Sequence, residues 1–186
     1  MNGPAAGGRP IELTLEALDS RQRAAYDAIL AGPRGVVEGP LKVWLLSAEL
    51  ADRAQALGAF CRYGTGLPPV LSELAILVMG SFWKAEYEWF VHAPIAEGVG
   101  LAPAAIEALR AGRAPCLEGA QLAVYRFARE LLERHEVSDD AYAFALRELG
   151  LKGLVELVGI LGYYGLISMT IKAFKVPLPA GTPAVF

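Results

Sequence analysis

Along most of the chain apolar side chains recur at intervals of three and four, the spacing that keeps one face of a helix buried. The alternation expected of a half-buried strand is almost absent, so the pattern predicts an all-α, single-domain bundle of seven or eight helices. A first helix is expected from Arg21 to Ala31, capped by Asp19 or Ser20 and stopped by Gly32-Pro33, and the following GPRGVVEGP reads as loop. After a short turn over Val43 to Leu46, Ser47 stands where it could cap a helix from Ala48 to Tyr63, with Ala51, Ala54, Leu57, Gly58 and Cys61 on one stripe. Two more helices follow, Ser72 to Trp83 and Lys84 to Val99, the second carrying the segment EYEWFVH. Pro103 suits a first helical position and opens a helix to Arg110, ended by Gly112. Gly119 to His135 is amphipathic, with Leu122, Val124, Tyr125, Ala128, Leu131 and Leu132 inward. Ser138, Asp139 and Asp140 begin a helix that ends near Gly150, and a last one runs from Lys152 to Phe174 before Pro177 and Pro179.

Within that last helix, Leu157 to Ile171 carries no charge on any face. Fifteen residues fall short of the roughly 20 that span a bilayer, so the segment reads as a helix buried in protein, with more than one neighbour to satisfy and oligomer contact as one of them. Composition agrees with a packed globular chain: 54% of the 186 residues are hydrophobic and 20% charged, enough apolar side chains for a core without staples. The net charge of −3 lacks the basic excess that nucleic acid demands, and neither nucleic acid nor membrane is expected as a partner. Cys61 and Cys116 form no CxxC and no disulfide framework, which points to a reducing compartment, the cytoplasm. Residues 1–12 begin MNGPAAGGRP and read as a flexible arm without a secretory signal; the domain is expected over 13–180.

The best candidate chemistry is Glu88 and His92. Four residues apart on a helix, they share a face, and a carboxylate beside an imidazole fixes its tautomer and raises its basicity, so that the ring can take or return a proton near neutral pH. The same spacing also suits a histidine that merely hydrogen-bonds inside a helix pair. Pro94 cannot donate to the carbonyl of Phe90, which would bend the helix beside His92. Ala85, one turn earlier on the same face, leaves room for a small pocket, and Ala85, Tyr87 and Trp89 are the candidate substrate contacts. Tyr87 and Trp89 would instead seal the pair if it were structural. Glu86 points away from this face, no metal site is nominated, and no cofactor is expected.

The stretch Leu71 to Leu101, LSELAILVMGSFWKAEYEWFVHAPIAEGVGL, resembles the carboxymuconolactone decarboxylase family, which includes the alkyl hydroperoxidase D proteins. The likeness lies in ELAILV from Glu73, in His92 nineteen residues later, and in A-x-x-x-G-L from Ala96 to Leu101; VELVGILGYYGLISMTIKAFKVPLP also looks like the family's C-terminal helix. It implies an all-helical subunit in a homotrimer or hexamer. The peroxidase branch uses a CxxC pair whose positions here hold Ala85 and Glu88, so the resemblance implies no thiol-dependent peroxide reduction through that motif, while Glu73 and His92 match parts of its proton relay. The decarboxylase branch is similar at Glu88 and His92. It implies a lyase acting on a small lactone or organic acid, with Glu88 orienting the ring, His92 moving the proton and Glu73 as third member. Lys84 and Arg62 are the candidates, by proximity in sequence, for holding an anionic substrate. The other reading is a non-catalytic oligomeric binding protein on the same scaffold.

Overall fold

The computed structural model describes Arg9 and residues 13–186; apart from Arg9, the arm expected over 1–12 lies outside the described residues. Eight α-helices and no strand occur among the described residues: α1 (Ser20–Ala31), α2 (Pro40–Trp44), α3 (Ala48–Ala59), α4 (Pro69–Trp83), α5 (Glu86–Gly98), α6 (Pro103–Arg110), α7 (Gly119–Arg134) and α8 (Asp139–Phe174). Asp19 caps α1 through a full capping box with Gln22. Ser138 caps α8 through the Ala141 amide. Ser47, by contrast, makes no side-chain cap bond at α3.

The centre of the bundle is α4. Every residue from Leu71 to Gly80 is buried, because α5, α6, α7 and α8 surround this helix. α4 ends on Lys84 in the left-handed conformation, and the Ala85 amide returns to the Gly80 carbonyl at 2.8 Å. Helix α5 therefore starts at Glu86 rather than Lys84, and the tight reversal lays it back along α4. This return is what brings the first half of α4 beside the middle of α5. Helix α5 runs on through Pro94 as one element.

The small-residue stripe of α3 is narrower than its sequence suggests. Ala51, Ala54, Gly58 and Cys61 are buried, whereas Leu57, on the margin of that stripe, is exposed. The helix stops at Ala59 and passes into a π-helical turn, Phe60–Gly64, that carries Arg62 and Tyr63. Helix α8 is broken at Gly150, whose φ of 70° and ψ of 168° leave the helical region, so the expected division near that glycine is present inside one long element. By length and composition α8 is also the one described helix able to cross a membrane, yet 67% of its most apolar window is buried in the protein, as in a core helix. It packs on α4, α7, α2 and α5 and still leaves Leu151, Val155, Val158 and Met169 exposed.

Candidate functional site

Glu73 on α4 and Glu88 on α5 flank His92 from opposite sides. The imidazole Nδ1 lies 2.7 Å from Glu73 Oε2, and Nε2 lies 2.9 Å from Glu88 Oε1. All three are buried, His92 to 3% exposure and each glutamate to 5%. The Glu88 contact is the same-face pair expected from a spacing of four; the Glu73 contact depends on the reversal between α4 and α5. Burial lowers the affinity of the ring for a proton, but the charge of Glu88 and the hydrogen bonds to both carboxylates outweigh it, and the His92 pKa is raised. A neutral imidazole could donate to only one of its two neighbours and would face the other with a lone pair. The protonated ring satisfies both.

A partly open cavity of about 240 Å³ reaches this trio. Its walls come from five segments: the α1–α2 loop with Arg34 and Glu38, α2 with Pro40 and Leu41, the π-helical turn with Arg62 and Tyr63, α5 with Tyr87, Glu88 and His92, and α8 with Tyr164. Glu73 holds the far nitrogen of the ring and does not line the cavity, whereas His92 and Glu88 both do. Tyr164 meets His92 edge-on, with ring centroids 5.2 Å apart and planes at 88°, and its hydroxyl is buried without a hydrogen-bond partner. Burial, and then the charges of Glu88 and Glu73, push its pKa well above the usual phenol value. Tyr87 is pushed up to about 12 by burial and by Glu38, and its ring packs so closely on Gly39 that a Cβ there would collide with it.

Of the expected substrate contacts Ala85, Tyr87 and Trp89, only Tyr87 borders the cavity. Trp89 lies on another side of α5, where its ring meets Phe186 at 5.2 Å, and Ala85 is fully enclosed in the α4–α5 reversal. Glu86 is turned away, as expected, and accepts the Val185 and Phe186 amides. Lys84 does not line the cavity; its carbonyl accepts from Lys172. Arg62 does line it, and so does Arg34, which sequence reasoning missed. Arg34 sits in a Gly/Pro loop, has no periodic pattern around it, and donates to the Tyr163 hydroxyl 129 positions away at 2.8 Å. The pocket-facing π turn and the loop are the kind of irregular segments on which functional side chains collect.

Two solved structures superpose on this arrangement of helices. An uncharacterized peroxidase-related protein from Silicibacter sp. TM1040 matches with a TM-score of 0.75 over 97% of this chain and 96% of its own, at 16% identity. A protein of unknown function from Agrobacterium tumefaciens, named as a candidate antioxidant defence protein AhpD, matches with a TM-score of 0.66 over 77% of this chain and 99% of its own, at 14% identity. The chain has an alkyl hydroperoxidase D-like fold. At these identities the likeness concerns the fold alone. No known protein family and no curated protein matches the sequence itself.

Proposed function

We propose that this alkyl hydroperoxidase D-like protein is a small-molecule enzyme of lyase type that moves a proton between Glu88 and a carbon of its substrate. The observation that carries this reading is the hydrogen-bonded trio Glu73, His92, Glu88, with His92 and Glu88 at the cavity wall and both ring nitrogens engaged. The geometry favours a change in the expected roles. With both nitrogens of His92 engaged, the ring has no free position for substrate, so Glu88 is the group that meets it and His92 is the charge reserve behind Glu88, held by Glu73. In a decarboxylation the substrate carboxylate leaves as carbon dioxide, its bonding electrons pass to an adjacent carbonyl oxygen to give an enolate, and Glu88 delivers to the carbon a proton drawn from His92 as the carbonyl re-forms; after product leaves, water at the cavity mouth restores the proton consumed. His92 supplies Glu88 with that proton from a site shielded from solvent.

The neighbours' names suggest peroxide chemistry. The CxxC positions hold Ala85 and Glu88, and of the two thiols Cys61 is buried, its pKa raised by burial against the opposing charge of Arg34. These features weigh against a thiol mechanism and for acid–base work. The two-cysteine composition supports the cytoplasm as the place of action.

Turnover of lactones and β-keto acids by the intact protein tests the proposal. Glu88→Gln, which keeps the shape and can still hydrogen-bond His92, should lower the rate by about 10²- to 10⁴-fold with the fold retained. A rate unchanged in Glu88→Gln contradicts the acid–base reading and favours a binding protein on this scaffold.

A further inference from the structure

The cavity that Glu88 lines carries a second chemistry. Arg34 and Arg62 both line it, both are half-buried, and neither has a carboxylate within ion-pair distance among the described residues. Arg62 leans on the Tyr63 ring at 5.1 Å. Arg34 is held more deliberately. It donates from one terminal nitrogen to the Tyr163 hydroxyl, its guanidinium lies 5.8 Å from that ring's centroid, and Gly58 is the residue beneath both, where any Cβ would strike the Tyr163 hydroxyl and the guanidinium together. The bare backbone at Gly58 thus leaves room for this arginine and the Tyr163 hydroxyl together. Yet its Nε is buried and has no acceptor. Tyr164, 1% exposed and lining the same cavity, also has an unpartnered buried hydroxyl.

Two buried donors without acceptors, both on residues that line one cavity, are costly unless something satisfies them. The tight hold on Arg34 argues against its simply swinging into solvent. A guanidinium fork fits a carboxylate or another planar oxyanion, so an acceptor of that class suits these two arginines. The cavity is smaller than the roughly 300–1,000 Å³ of drug-sized sites, so the ligand is small. We propose that Arg34 and Arg62, with Tyr164, form a seat for a small organic carboxylate, gripping its carboxylate inside the cavity that Glu88 also lines. This rests on the acid–base reading only for what happens next; the seat itself is a binding site and is tested by binding.

Calorimetric titration of the full chain with benzoate and with succinate, against benzamide and succinamide as neutral shape-matched controls and sulfate as a non-planar anion, separates the possibilities. The seat predicts that one of the carboxylates binds with a Kd of ~1 mM or tighter and its amide at least about ten-fold more weakly. Arg34→Gln should weaken carboxylate binding by about ten-fold or more with the thermal unfolding transition preserved, Tyr164→Phe should weaken it less, and Glu88→Gln should leave it intact or tighten it. Should Arg34→Gln fail to fold, Arg62→Gln carries the same comparison. Amides binding as well as acids, sulfate competing as well as carboxylate, no binding of either acid, or full binding in the arginine variants each overturn the proposal. Intact carboxylate binding combined with unaltered turnover in Glu88→Gln would instead sink the acid–base reading and leave the seat standing.

Discussion

His92 carries two carboxylates on one imidazole, and the energetics of that ring separate its structural role from its chemical one. Removing it leaves Glu73 and Glu88 buried and facing each other without the cation between them, so His92→Ala should cost about 3–5 kcal/mol in chemical denaturation. That loss occurs whether or not the ring is catalytic, which makes Glu88→Gln the better probe of function. The raised His92 pKa also fixes a sign for pH dependence. Because the folded protein holds this proton more tightly than the unfolded chain does, the stabilisation is complete below the unfolded value of about 6.5 and is lost as pH rises through the elevated folded value. Denaturation midpoints of the wild type should therefore fall as pH is raised above neutrality, and the fall should be absent in His92→Gln. A wild type that gains stability over the same range would contradict the assigned protonation.

At the scale of elements, Gly58 of α3 offers a test whose sign is decided by packing. Helix propensity alone would have Gly→Ala raise stability by about 1 kcal/mol. Here the added Cβ meets Tyr163 and Arg34, so Gly58→Ala should instead lower stability by about 1–3 kcal/mol, read from the denaturant midpoint. The same element shows what was legible in the sequence. The three-and-four periodicity found the helices, and the spacing of four found Glu88 beside His92, because both signals are local. Ser47 looked like a cap and makes no cap bond, since a suitable side chain does not ensure suitable backbone geometry. Lys84 looked helical and forms the left-handed turn, because the close return of α5 along α4 sets that residue and not its own propensity. Glu73 came from the family resemblance, and Arg34 came from nothing in the sequence. Its place depends on a loop, a bare glycine and a tyrosine distant along the chain, none of which leaves a periodic trace.

The whole molecule leaves part of its apolar surface unpartnered. Leu151, Val155 and Val158 are exposed on α8, Val155 to 65%, and Met169 continues that side of the helix. A stripe of this kind, on a helix whose opposite side is buried in the core, supports the proposal that the chain self-associates, with a trimer or hexamer favoured by the family resemblance. Light scattering should show a species larger than the monomer at micromolar concentration, and Val155→Glu should shift it toward the monomer; a clean monomer in the wild type would refute the proposal. The central claim, that Glu88 exchanges a proton with a carbon of the bound ligand, has its most direct test in deuterium uptake. A β-keto acid or its decarboxylated ketone is incubated in D₂O with the protein, and the carbon-bound hydrogens beside the carbonyl are followed by NMR. The account predicts exchange well above the buffer rate with wild type and a loss of about 10²- to 10⁴-fold in Glu88→Gln. Equal exchange in the two proteins would contradict it.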